Sequence, residues 1–288
     1  MHSPAFWQTS RFRIALQQPQ VMGIVNVTPD SFSDGGRYLD PAAAIAHAEQ
    51  LLADGAHILD IGAESTRPGA RTPDTAEELQ RLQPVLAAAL GWGVPVSVDT
   101  SNPVVIRAVL EMGVDIVNDV RALQRPGALA AAAAHPQAGV CLMHMQGEPG
   151  TMQQAPVYDD VVQAVRDFLR ARWGEARAAD IADERIVLDP GIGFGKTPAH
   201  NLALLRRQAE LLDLPRPLLL GWSRKSTLGL LTGKPADQRQ AASVAAALLA
   251  VHAGARIVRV HDVAATVDAL KVWQAVSGDT YNDNTTTP

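Results

Sequence analysis

Short runs rich in β-branched residues recur along this 288-residue chain, and each is followed by an alanine- and leucine-rich amphipathic stretch. Eight such pairs can be read, with strands expected at 21–25, 57–61, 94–98, 116–118, 139–144, 186–188, 218–221 and 256–260. The helical stretches follow at about 41–54, 75–91, 102–112, 127–134, 157–179, 198–213, 236–253 and 263–276. This alternation gives parallel strands joined by crossover helices, because a helix must return the chain to the starting edge before the next parallel strand can pair. A doubly wound open sheet uses the same local pattern, but eight units with short returns favour closure into an α/β (β/α)₈ TIM barrel. Residues 1–276 are expected to form one such domain, and the polar stretch 277–288 to be a disordered tail.

Several helix starts carry their own signals. Asp40-Pro41, Thr75 with Glu78 three residues on, Asn102-Pro103 and Thr197-Pro198 each put a capping side chain or an early proline at a first turn. Gly55, Gly113 and Gly254 stand where helices should stop.

Composition excludes some classes of function. A net charge of −5 with scattered Lys and Arg argues against a nucleic-acid partner, and no apolar run is long enough to cross a bilayer. The first residues, to Arg13, lack the basic start, apolar stretch and cleavage site of a secretion signal, so a cytoplasmic location is expected. The single cysteine, Cys141, cannot form an internal disulfide and reads as a buried strand residue.

Reactive groups of a (β/α)₈ barrel lie at the carboxyl ends of its strands. The polar residues just after each apolar run are Asn26, Asp60 with Glu64-Ser65-Thr66-Arg67, Asp99, Asn118-Asp119, His144, Asp189, Ser223-Arg224-Lys225, and Arg259 with His261. Any one of them reads equally well as a helix cap or a solvated loop group; as a set they point to one end of the barrel. Asp99, Asn118 and Asp189 offer acceptors suited to a flat heterocycle rich in N–H donors, while Arg67, Lys225, Arg259 and His261 are read as a cationic rim for an anion. Two Gly/Pro-rich loops, 28–37 and 65–70, read as lids. Gly191-Ile192-Gly193-Phe194-Gly195-Lys196 lacks the spacing of a nucleotide-binding P-loop, and its glycines are expected to let the backbone approach a flat ligand beside Phe194. The remaining histidines, His47, His57, His135, His200 and His252, show no metal-ligand spacing.

Long motifs in a fixed order resemble the dihydropteroate synthase family along nearly the whole chain. They begin with Met22-Gly23-Ile24-Val25-Asn26-Val27-Thr28-Pro29-Asp30-Ser31-Phe32-Ser33 and continue through Asp60-Ile61-Gly62-Ala63-Glu64-Ser65-Thr66-Arg67-Pro68-Gly69 and Ser97-Val98-Asp99-Thr100. Val117-Asn118-Asp119, Leu188-Asp189-Pro190-Gly191, Gly221-Trp222-Ser223-Arg224-Lys225 and Arg259-Val260-His261-Asp262 complete the series. The resemblance implies condensation of a pterin diphosphate with p-aminobenzoate in a homodimeric enzyme. It implies pterin contacts from Asp99, Asn118, Asp189 and Lys225, and diphosphate contacts from Thr66, Arg67, Arg259 and His261, with Asn26 acting through Mg²⁺. The p-aminobenzoate site it implies is made by Thr66, Pro68, Gly193, Phe194, Ser223 and Lys225, and catalysis is assigned to Arg67, Lys225, Asp99 and Asp189. One departure stands at Ala242, where family members often place Gly before the Ser or Thr. Two other readings compete: a pterin-binding methyltransferase domain that passes a methyl group to a corrinoid protein, and a non-catalytic pterin-binding scaffold.

Overall fold

The computed structural model describes residues 6–28, 41–64, 73–148 and 150–277. A short antiparallel hairpin, β1 (Phe6–Gln8) with β2 (Arg13–Ala15), precedes the repeating units. Eight parallel strands follow: β3 (Gln20–Asn26), β4 (Ile58–Gly62), β5 (Val96–Asp99), β6 (Ile116–Asp119), β7 (Gly139–Met143), β8 (Ile186–Asp189), β9 (Leu219–Leu220) and β10 (Ile257–Val260). They are ordered β8-β7-β6-β5-β4-β3-β10-β9, and a parallel bridge between Leu188 and Leu218 joins the two ends of that order. The closed (β/α)₈ reading therefore holds, and the open-sheet alternative falls.

Each strand feeds a helix on the outer face, and β9 feeds two: α1 (Pro41–Ala53), α2 (Thr75–Ala89), α3 (Pro103–Glu111), α4 (Ala128–Ala133), α5 (Val161–Ala178), α6 (Pro198–Arg206), α7 (Ser226–Thr232) and α8 (Gln240–His252) after β9, and α9 (Val263–Ser277). Period-two alternation sorts the strand residues into two sets. Val21, Val25, Leu59, Ile61, Val96 and Val98 pack outward on the helices. Met22, Ile58, Ile116, Cys141, Val187, Leu219 and Ile257 point inward and form a dry layer at the amino end of the barrel. Four of the next inward positions, two residues along, are Asp60, Asn118, Asp189 and Arg259, so polar and charged groups enter the barrel within one layer of the apolar end.

The hairpin plugs the apolar end. Trp7 is fully buried, joins that inner layer with Ile14 and Leu16, and donates from Nε1 to the Arg185 carbonyl at 2.8 Å. A Cβ on Gly139 would sit 3.1 Å from this indole nitrogen, so the first residue of β7 must be small. The sequence reading missed this hairpin because its strands have only three residues each, too short to show a period.

Other boundaries also moved. The N-cap of α2 is Asp74, not Thr75: its carboxylate accepts from Glu77 N at 2.9 Å, while Thr75 Oγ1 instead receives Asn102 Nδ2 and Glu78 turns inward to Thr100. Asn102 and Thr197 cap α3 and α6 as expected, and Thr197 forms a reciprocal box with His200. Helix α5 begins later than residue 157, because Asp160 caps it through Val162 N and Gln163 N. The stretch 198–213 breaks at Arg207 into α6 and a 3₁₀ turn, Gln208–Leu211, whose Gln208 side chain donates to the Ala250 and Ala253 carbonyls of α8 and its cap. Arg239 likewise separates the 3₁₀ turn Ala236–Gln238 from α8. Helix α7 was not anticipated, since Gly229 at its centre argues against a helix. Gly55, Gly113 and Gly254 all take positive φ at helix ends. Both expected lids, apart from Thr28 and residues at their edges, and the tail beyond Ser277 lie outside the described residues.

Replacing Trp7 by Ala should destabilise the fold by about 3–5 kcal/mol, the usual cost of deleting a buried aromatic, and urea denaturation would measure it.

Candidate active site

The carboxyl ends of the strands form a mouth whose floor is a hydrogen-bonded set of charges. Asp60, on β4, is fully buried and accepts from Ser97 Oγ at 2.6 Å, Asn118 Nδ2 at 3.1 Å and Arg259 Nε at 2.5 Å. Arg259 also donates from one Nη to Asp99 Oδ2 at 3.0 Å, so its guanidinium lies across the mouth between two carboxylates. Gly62 makes room for this arrangement: a Cβ there would stand 3.2 Å from that of Asp99. Asn118, having given its amide N–H to Asp60, is left with its carbonyl oxygen toward a ligand.

Asp189 is buried at the end of β8 and receives the Gly191 amide at 2.7 Å. Burial, only partly offset by that amide and by Lys225, pushes its carboxyl up to about 6. Burial likewise pushes Asp99 up to about 7, against the pull of Arg259 and with the repulsion of Asp60 and Glu64 added. Burial lowers Lys225 to about 8, and Arg259 lowers it further while Asp189 and Asp99 oppose the shift. Its ammonium stands 4.2 Å from the centroid of the Phe194 ring, a cation–π contact. Phe194 continues into an apolar wall with Val120, Met143 and Met152.

His261 is neutral rather than part of a cationic rim. Burial first, then Arg224 and Arg259, lowers it to about 3. Its backbone N–H donates to Ser223 Oγ at 3.1 Å, and the same hydroxyl lies 3.0 Å from Nδ1, which fixes the ring's orientation at the mouth. Between Ser223 and Lys225, Arg224 holds a left-handed backbone, φ 57°, pinned by its ion pair with Asp262 and by Ser243 Oγ at its amide. Arg239 closes the same turn by donating to the Arg224 and Lys225 carbonyls, and its guanidinium lies where a side chain at Gly229 would stand. The departure at Ala242 leaves these contacts intact.

The glycines of 191–195 serve another purpose than the one expected. Gly191, Gly193 and Gly195 have positive φ, but a Cβ on Gly191 or Gly195 would run into the carbonyls of His144 and Gln146. Their close approach is to the chain after β7, and only Gly193 faces the mouth, with Lys225 Cδ 3.2 Å from a Cβ built there. His144 turns away from the mouth toward Lys196.

Asn26 ends β3 in register with Gly62 and is partly exposed. Among the described residues no cluster of three or more His, Cys, Asp or Glu could hold a metal. A single amide oxygen fits a Mg²⁺ that arrives with phosphate oxygens and keeps its waters, not an ion held by the protein alone.

The pterin binding enzyme family matches residues 22–261. A dihydropteroate synthase of Neisseria meningitidis serogroup B is 56% identical over 276 residues, 94% of this chain and 97% of that protein. The chain belongs to the dihydropteroate synthase family. The solved dihydropteroate synthase of Xanthomonas albilineans with 4-aminobenzoic acid has a TM-score of 0.88 at 49% identity, covering 94% of this chain and 98% of the other. That of Burkholderia cenocepacia, complexed with 7,8-dihydropteroate, has a TM-score of 0.88 at 48% identity, covering 97% and 99%.

Of the residues assigned from this family's motifs, Asp99, Asn118, Asp189, Gly193, Phe194, Ser223, Lys225, Arg259 and His261 gather at one mouth, with Asn26 at its β3 side. Thr66, Arg67 and Pro68 lie outside the described residues. Asp60 was seen as a strand-end residue but given no role, and Met143 was passed over as strand core. Strand alternation could have placed both, since Asp60 is two residues beyond inward Ile58 and Met143 two beyond inward Cys141.

The raised Asp99 and Asp189 carboxyls have a consequence for binding. Both are ionised only above pH of about 6–7, so affinity for a pterin ring that needs acceptors should fall as pH drops, by up to about ten-fold per unit between 7 and 6 and more steeply below, where both are protonated. Calorimetry between pH of about 5 and 8 would measure this, and a flat profile would contradict the acceptor role.

Proposed function

We propose that the chain joins 6-hydroxymethyl-7,8-dihydropterin diphosphate to p-aminobenzoate, releasing diphosphate and forming 7,8-dihydropteroate. The observation that carries this reading is the acceptor set of Asp99, Asn118 and Asp189 beside Lys225 and Arg259, with Phe194 on one wall. Buried carboxylates demand a partner rich in donors, which the pterin amino-pyrimidinone edge supplies. The basic groups beside them suit the diphosphate, and a methyl transfer to a corrinoid would need no such anion site.

In the mechanism, the bond between the exocyclic methylene carbon and the diphosphate oxygen breaks and the diphosphate leaves with the electron pair. Positive charge spreads into the pterin, which Asp99 and Asp189 favour, while Arg259, the His261 ring and Arg67 would receive the departing anion. The aniline nitrogen, held between Phe194, Gly193, Ser223 and Lys225 with Thr66 and Pro68, attacks the methylene carbon and then loses its proton to the departing diphosphate. Mg²⁺ beside Asn26 would supply further neutralisation of the diphosphate. Lids at 28–37 and 65–70 would keep water from the cation.

Exposed Leu230 and Leu231 on α7, Leu249 on α8, and Val272 and Val276 on α9 lie on helices packed in sequence, which supports a homodimer through this side. Sedimentation should give twice the monomer mass, and Leu249→Glu should shift it to monomer. No helix among the described residues is long and apolar enough to cross a membrane. The lone buried thiol of Cys141 accords with a cytoplasmic setting.

The decisive assay mixes the protein with both substrates and Mg²⁺ and follows diphosphate and dihydropteroate by mass spectrometry. Both should form together and be lost in Lys225→Ala. Asp189→Ala should weaken pterin binding by about ten- to a hundred-fold, the loss of a hydrogen bond to a charged group. Pterin binding without diphosphate release would leave the scaffold reading in its place.

A further inference from the structure

Lys196 is the one charged residue of the glycine segment that the reaction does not use. It is 2% exposed, and its ammonium is 2.8 Å from His144 Nδ1, 2.9 Å from the Gly191 carbonyl, 3.0 Å from that of Phe194 and 3.4 Å from that of His144. None of these partners is a carboxylate. A buried ammonium usually has an ionised partner, because desolvation is otherwise uncompensated. Here neutral acceptors make every contact and the Asp189 carboxylate acts only through space, so burial lowers the amine to about 7, and three carbonyl oxygens converge on the point it occupies.

The converging carbonyls come from the two segments that must meet. Two belong to the turn from Gly191 to Gly195, and one to the chain leaving β7. The turn is also tied by Tyr158 Oη to the Gly195 carbonyl at 2.8 Å and by the Gly193 amide to Asn201 Oδ1 at 2.8 Å. His144 accepts through Nδ1 as a neutral ring, lowered to about 2 by burial and then by Lys196, with its edge on Phe168. The outer side of the turn carries the Phe194 ring under Lys225 and the Gly193 backbone beside it.

We propose that Lys196 is a positioning residue for the amine substrate: its caged ammonium fixes the turn after β8 against β7 and so sets Phe194 and Gly193 against Lys225. This rests on the synthase reading of the mouth, in which that surface receives p-aminobenzoate. Of the pterin acceptors, Asp99 and Asn118 stand on β5 and β6, which the turn does not carry, and Asp189, though it takes the Gly191 amide, is fixed by the pairing of β8 with β7. Losing the cage should therefore affect the two substrates unequally, whereas a lysine that only fills space would change stability alone.

The test uses the full chain with Lys196→Met, which keeps length and removes the donors, and a pair at the other partner, His144→Leu and His144→Asn. Asn can return an acceptor near the place of Nδ1; Leu cannot. Lys196→Met should raise the KM for p-aminobenzoate by about ten-fold while the pterin diphosphate Kd changes by less than about three-fold. A KM rise below about three-fold, or an equal rise in the pterin Kd, overturns the proposal. If Lys196→Met does not fold, the His144 pair decides: a lower KM in His144→Asn than in His144→Leu supports the cage, and equal values overturn it. Absence of dihydropteroate formation by the wild-type chain would instead defeat the synthase reading itself.

Discussion

Asp60 and Arg259, on strands that flank β3, meet inside the barrel, and the geometry of the mouth follows from that pairing. A carboxylate with no exposure is tolerable only when several donors reach it, since desolvation alone costs several kcal/mol by order of magnitude. Ser97, Asn118 and Arg259 provide those donors, each hydrogen bond to the charge contributing about 1.5–3 kcal/mol. These contacts join β4, β5, β6 and β10, half of the barrel strands, just above the dry layer. The dry layer, closed below by Trp7, lets no competing water approach from the amino end. Arg259 is thereby held flat across the mouth with Asp99 as its second partner, and Asn118 is forced to present its carbonyl.

The remaining charges are set by what surrounds this core. Asp99 and Asp189 titrate late because burial outweighs their partners, and Lys225 titrates early for the same reason combined with repulsion from Arg259. The mouth thus balances acidic and basic groups whose ionisation near neutral pH depends on one another, a poised state suited to accommodating a leaving anion above and a delocalised cation below. Positioning comes from outside the mouth. Arg239, Ser243 and Asp262 lock the strained turn that carries Lys225, and Lys196 with His144 locks the turn that carries Phe194. Two turns from neighbouring strands, each held by a buried or half-buried cation on carbonyl oxygens, bring Lys225 and Phe194 into contact.

Eight units were legible because hydrophobic periodicity is a local property: a run such as Val21 to Val25 must be buried on both faces, and Ala- and Leu-rich stretches after it must cover one of them. Asn102 and Thr197 were legible as caps because a side chain reaching its own backbone two or three residues on needs no distant partner. Thr75 misled, since Asp74 beside it is an equally good cap and the distant Asn102 and Thr100 decided between them. The strand-end polar residues, Asn26 through His261, were legible as a set because closure of eight parallel strands sends all their carboxyl ends the same way.

What the sequence determined by itself was the repeat, the hand-over from apolar to polar at each strand end, and the family motifs carried there. Only the tertiary structure decided the state of those groups. Burial and the neighbouring arginines lower His261, the glycines of 191–195 accommodate protein backbone, and the amine of Lys196 is buried among carbonyls. The hairpin of Trp7 became a plug, and Asp60 became the centre of the charge network. Each of these depends on residues far apart in the chain meeting where water is excluded, and burial and neighbouring charge, which set protonation and orientation there, exist only once the barrel has closed.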